Sequence, residues 1–178
     1  MSTTLKGKNI AIVMADGFEE IEFTSPSQAL KEAGANVTVL TPKQEAVKAW
    51  DTTDWSKSYA SDGAVEEADA NQFDALMLPG GVMNPDNLRG NAKAITFISE
   101  FLKQKKPVAA ICHAPQTLIE TGLLKDRTLT SYSSIKTDLK NAGANWQDSE
   151  VVVDGNLITS RKPDDLPAFN QKMVEGFA

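Results

Sequence analysis

The chain has 178 residues, 41% hydrophobic and 24% charged, with a net charge of −6; this fits a single globular domain over 1–178 rather than two domains or a disordered chain. The acidic balance argues against a nucleic-acid partner or an anionic membrane surface, and no apolar run is long enough to span a bilayer. One cysteine excludes an intramolecular disulfide and fits a reducing cytoplasm.

The opening residues read as the approach to a strand, not as a secretory leader. "KNIAIVMA" (8–15) is a continuous apolar run and predicts a buried central strand. "FEEIEFTSPSQALKEAG" places Phe18, Ile21, Glu22, Ala29, Leu30 and Ala33 at helical offsets, with Gly34 as a stop. Pro26 interrupts that pattern, which predicts a turn and then a helix from about Ser25, capped by Ser25 with Pro26 at its first position. "NVTVLTP" is a second strand. Residues 43–72 have weak periodicity and predict a surface excursion with short strands or a hairpin.

"FDALMLPGG" (73–81) is a strand running into Pro-Gly-Gly, and residues 84–106 predict one helix. "PVAAIC" is a fourth buried strand, followed by a helix stopping near Gly122. "TLTSY" suggests a strand and "SIKTDLKNAG" a helix. "EVVVDGNLITS" carries a hairpin signal through Asp154-Gly155, and "PDDLPAFNQKMVEGF" is a C-terminal helix. The order predicts a three-layer α/β sandwich with a mainly parallel sheet.

Sites in such sheets form at the carboxyl ends of strands. Three strand ends here carry unusual residues: "ADGFEEIEF", "LPGGVMNPD" and "AICHAP". In the third, Cys112 stands where a strand turns directly into a helix. That tight turn needs small residues two before and two after the nucleophile, and these are Ala110 and Ala114. A thiol at a helix start is expected to have a depressed pKa. The bland alternative is a small buried hydrophobe. His113 is a candidate base, yet adjacency in sequence does not place its imidazole at the thiol.

The Gly pair of "LPGG" can turn a backbone N–H into the crevice and, with that of His113, form an oxyanion hole. A plain turn is the competing reading. One carboxyl from Asp16, Glu19, Glu20 and Glu22, if aimed at the thiol, would have a raised pKa and shuttle protons; the residues alone do not select it. One His beside one Cys has no zinc-ligand spacing, so neither a metal nor a cofactor is expected.

Together "ADGFEEIEF", "FDALMLPGG", "PVAAICHAPQ", "TSYSSIKTDLKNAGANW", "EVVVDGNLITSR" and "PDDLPAF" resemble the ThiJ/PfpI superfamily, in its PfpI (intracellular protease I) branch. The motifs occur in the family's order over nearly the whole chain. The resemblance implies a flavodoxin-like sheet, like that of class I glutamine amidotransferases, and a dimer or larger homo-oligomer. It implies Cys112 as nucleophile, Glu19 as the carboxyl facing its sulfur, and an oxyanion hole from Gly81 and His113. It also implies His113 oriented by Asp86 of a neighbouring subunit, and Tyr132 lining the pocket. Ala114 departs from the branch's usual glycine and puts substrate carry-over in question. Glutamine amidotransferase activity itself is excluded, because its triad needs a later histidine and His113 is the only one.

The expected activity is that of a cysteine hydrolase or lyase acting on small aldehydes or their glycated adducts, of glyoxalase or deglycase type. The alternatives are a PfpI-type peptidase, an oxidative-stress sensor or chaperone using the same thiol, and a fold without activity.

Overall fold

The computed structural model describes residues 4–178. In chain order the elements are β1 (Asn9–Val13), β2 (Phe18–Glu19), α1 (Glu20–Glu32), β3 (Asn36–Thr41), β4 (Val47–Asp51), β5 (Asp54–Tyr59), β6 (Gly63–Ala64) and β7 (Ala75–Leu78). Then come α2 (Met83–Arg89), α3 (Ala92–Lys103), β8 (Val108–Ile111), α4 (Pro115–Ile119), β9 (Thr128–Leu129) and α5 (Lys136–Asn141). The chain closes with β10 (Asn145–Trp146), β11 (Val151–Asp154), β12 (Leu157–Ser160) and α6 (Leu166–Phe177).

The main sheet has the order β11-β12-β8-β7-β1-β3-β6. All its pairings are parallel except β11 with β12, the predicted hairpin. The strands are apolar throughout because both faces are covered. Alternation divides their side chains between two cores. Ala11, Val13, Leu76, Leu78, Val108 and Ala110 face the side of α2 to α5, where Phe97, Ile98 and Phe101 of α3 pack. Ile10, Ile12, Met77, Ala109 and Ile111 face α1 and α6, against Leu30, Phe169 and Met173. This is the expected flavodoxin-like three-layer sandwich. Among the described residues no helix is long and apolar enough to cross a membrane.

Two boundaries differ from expectation. Residues 84–106 form two helices, because Asn91 caps a new one by accepting from the Ala94 N–H at 3.1 Å. The other correction moves a site residue. The first helix begins at Glu20, and Pro26 lies inside it. Ser25 is not its cap; its hydroxyl accepts from Asn170 Nδ2 at 2.8 Å and ties α1 to α6. Burial of Phe23, Ser27 and Leu30 outweighs the backbone bond that Pro26 removes. The early start places Glu22, Pro26 and Leu30 on one inward stripe.

Residues 43–72 contain the β4–β5 hairpin, which joins β2 in a separate three-stranded sheet. Phe18 and Glu19 pair with Ala49 and Trp50. Edge-to-face packing of Phe18, Phe23 and Tyr59, with centroids 5.2–5.6 Å apart, anchors the hairpin against α1.

Candidate active site

Strands β8, β7 and β1 are neighbours, so the loops leaving their carboxyl ends converge on one crevice. These loops carry Cys112, Gly80-Gly81 and Gly17 to Glu19. A cavity of about 450 Å³ opens there, lined by Glu19, Glu22, Trp50, Gly81, Cys112 and His113 among others.

Cys112 has φ of 64°, a left-handed conformation that costs a non-glycine residue energy and is tolerated where the surroundings hold it. Here they do. Its N–H donates to Ser160 O at 3.0 Å, and its carbonyl accepts from Tyr132 N at 2.8 Å. Ala110 and Ala114 are fully packed, as the turn requires. Pro79 and Gly80 are held by Asn84, a buried residue that no motif in the sequence marks. Its amide donates to the carbonyls of Pro79 and Gly80 at 2.9 and 3.0 Å, and its oxygen accepts from Ala15 N at 2.7 Å.

The carboxyl beside the thiol is Glu22, not Glu19. Glu22 is completely buried, and Oε2 accepts from Gly80 N at 3.0 Å. Oε1 is buried and, among the described residues, receives no N–H or O–H hydrogen bond, while the carboxyl and the Cys112 thiol face each other. Burial, with the Glu19 charge adding to it, pushes the Glu22 carboxyl up to about 8, so it holds a proton at neutral pH. Glu19 sits nearer the mouth, half-buried, and accepts from Thr52 N at 3.0 Å. The residues left Asp16, Glu19, Glu20 and Glu22 open for this position, and Glu19 was what the family resemblance implied; with the helix beginning at Glu20, Glu22 is the one that falls on the inward stripe.

The thiol also departs from expectation. Burial and the facing Glu22 push it up, against the pull of the Gly81 and His113 N–H groups. Helix α4 has five residues, too short for a strong dipole to win. The two acids form one coupled unit. While Glu22 keeps its proton, its charge no longer opposes the thiolate, and the two N–H groups stabilise the sulfur anion. These are the two groups predicted for an oxyanion hole.

The imidazole of His113 does reach the sulfur. Nδ1 lies 3.2 Å from Cys112 Sγ, and Nε2 lies 3.1 Å from Ser134 Oγ. The ring stacks on Tyr132 with centroids 4.6 Å apart. Burial lowers its pKa, so the ring is neutral at neutral pH. Asp86 is exposed on α2 and lines a different depression, with Pro42 and Lys43, so within one chain it does not join the site. Among the described residues no group of three or more His, Cys, Asp or Glu side chains is gathered to hold a metal.

A parallel sandwich with a cysteine at a strained strand-to-helix turn, backed by a buried carboxyl, defines a flavodoxin-like protein with a thiol-centred site. The model of the DJ-1/PfpI family matches residues 8–176, and the chain belongs to that family. YraA of Bacillus subtilis (strain 168) is 48% identical over 167 residues, 94% of this chain and 96% of that one. Protein/nucleic acid deglycase 2 of Escherichia coli (strain K12) is 45% identical over 168 residues, with the same coverage. The crystal structure of Drosophila melanogaster DJ-1beta is similar with a TM-score of 0.87 at 33% identity, covering 96% of this chain and 90% of that one.

Proposed function

We propose that this protein is a cysteine-dependent enzyme acting on small reactive aldehydes and on the adducts they form with amines. The observation that carries the reading is the fully buried Glu22 carboxyl beside Cys112 in a cavity of about 450 Å³. A room of that size suits a three-carbon aldehyde and its attachment point better than an extended polypeptide. The name of Escherichia coli deglycase 2 supports it. The name of YraA includes the words cysteine protease, and acyl transfer at the same sulfur is the second reading.

In this scheme the sulfur adds to the aldehyde carbon. The carbonyl electron pair moves onto oxygen, which takes a proton from Glu22 beside the N–H groups of Gly81 and His113. The proton lost by the thiol restores Glu22. With methylglyoxal, hydrogen then moves from the former aldehyde carbon to the ketone carbon and the hydroxyl proton to the ketone oxygen, giving a lactoyl thioester. Water adds to it, the C–S bond breaks, and lactate and the thiol are released. One carbon is oxidised and its neighbour reduced, so no external oxidant enters. From a hemiaminal adduct, the carbinol O–H becomes C=O as its proton passes to the nitrogen, which leaves with the C–N electron pair, and the aldehyde so freed enters the same steps. Purified protein is expected to form lactate from methylglyoxal, or to free the amine from its adduct with Nα-acetyl-lysine. Turnover of neither would overturn the proposal. A reducing cytoplasm suits an enzyme whose single cysteine must stay a thiol.

We further propose a homo-oligomer in which Asp86 meets His113 of a neighbour. Its exposure on α2, away from the cavity of its own chain, supports this. Mixed oligomers of Cys112→Ala and Asp86→Asn chains should regain part of the activity that each lacks alone. No recovery, in oligomers shown by mass spectrometry to be mixed, would mean that each chain completes its own site.

A further inference from the structure

Glu19 is left without a role in the thiol chemistry, yet it lines the same cavity. One carboxylate oxygen, Oε1, is occupied by the N–H of Thr52. The other charges acting on it, Asp51 and Glu20, are acidic, and among the described residues no cation offsets it. Glu20 itself points elsewhere, accepting from Tyr59 Oη at 2.7 Å and Ser56 Oγ at 2.8 Å. No lysine or arginine lines the cavity, and its only histidine is neutral. Trp50 stands in the same wall, paired in register with Glu19 across the β2–β4 ladder. Deeper in, fully buried Glu22 lines the same cavity, and among the described residues its Oε1 receives no N–H or O–H hydrogen bond.

We propose that the mouth of this cavity is a subsite for a cationic group, built from the Glu19 carboxylate and the Trp50 ring, and that it selects substrates carrying positive charge beside the reacting carbon. Resting on the aldehyde-adduct reading, this names the substrate class: adducts borne by ammonium- or guanidinium-containing molecules, in preference to those bearing a carboxylate. The physical basis is direct. A carboxylate at a half-desolvated mouth, with only acidic neighbours, attracts a cation and repels an anion. An indole face adds attraction for a guanidinium or ammonium group. The Thr52 bond holds the carboxylate in place, so less ordering is needed on binding.

Binding of unreactive probes tests the subsite apart from any turnover. Butylguanidinium, pentanamide and pentanoate would be titrated calorimetrically into the full-length protein at pH 7.5. The expected order of affinity is guanidinium, then amide, then carboxylate, with about a tenfold gap between the two ions. Glu19→Gln retains an oxygen for Thr52 and should close that gap. Glu20→Gln makes the same change in net charge outside the cavity and should leave the gap open. Equal binding of the ions by the unmodified protein, no binding of the guanidinium, or an equal loss of the gap in both variants would overturn the subsite. Loss of the gap in Glu19→Gln alone, in a protein that turns over no aldehyde, would sustain the subsite and remove the enzymatic reading.

Discussion

Glu22→Gln is expected to lower kcat/KM for methylglyoxal by about 10²–10⁴-fold, the range of a lost proton donor. Cys112→Ser should lose at least as much, and the double variant no more than the worse single one, because the pair acts as a unit. Glutamine keeps the shape and can still accept from Gly80 N, but it has no proton to give. A second signature separates this from a packing defect. The Glu22 carboxyl is raised from 4.5 to about 8 in the folded protein. Between those values the native state keeps a proton that the unfolded chain has lost. Stability therefore falls as pH rises through that window, at up to about 1.4 kcal/mol per pH unit. Urea denaturation at pH 5 and pH 8 should show a smaller loss in Glu22→Gln than in the unmodified protein. A variant with full activity, or with the same stability loss across that window, would remove Glu22 from the proton path.

What could be read from the residues alone divides along physical lines. The strands were legible because full burial writes itself as uninterrupted apolar runs, and the convergence of three strand ends follows from parallel topology. Cys112 was legible because a tight strand-to-helix turn demands alanines around it. Glu22 was not singled out because four carboxyls stand close together in "ADGFEEIEF" and the residues alone did not choose among them; the resemblance pointed to Glu19, and the helix start at Glu20, ahead of Pro26, is what turns Glu22 inward. The usable clue was Glu22 itself, a carboxylate at an apolar offset where a charge belongs only if it is paired or protonated. The His113 contacts with Sγ and Ser134 depend on a side-chain rotamer that sequence does not specify. The role of residues 43–72 was hidden because it rests on two residues of β2 pairing with β4, far too short a ladder to leave a periodic pattern.

Gly80→Ala should be a severely damaging single-methyl change at this site. A Cβ on Gly80 would lie 2.5 Å from Glu22 Oε2, 2.6 Å from Ile111 O and 2.8 Å from Cys112 Cβ. The first of these atoms ends a side chain, but that side chain is fully buried and bonded to the Gly80 N–H. The second is backbone of a central strand and has little freedom to yield. The third belongs to the strained turn. Relief therefore requires moving the loop after β7 away from β8, which separates Gly81 N–H from the sulfur and the carboxyl from the thiol. Overpacking of this kind costs about 1–3 kcal/mol. The activity loss should be larger than the stability loss implies, at least about tenfold in kcat/KM, because displacement by an ångström disrupts aligned reacting groups. Gly90→Ala serves as the matched control. There the nearest neighbour of a Cβ is Asn87 O at 3.7 Å, and φ is −80°; its melting temperature and kinetics should stay close to those of the unmodified protein. If Gly80→Ala melted and turned over like Gly90→Ala, the close approach of β7 and β8 loops would not be what assembles the site.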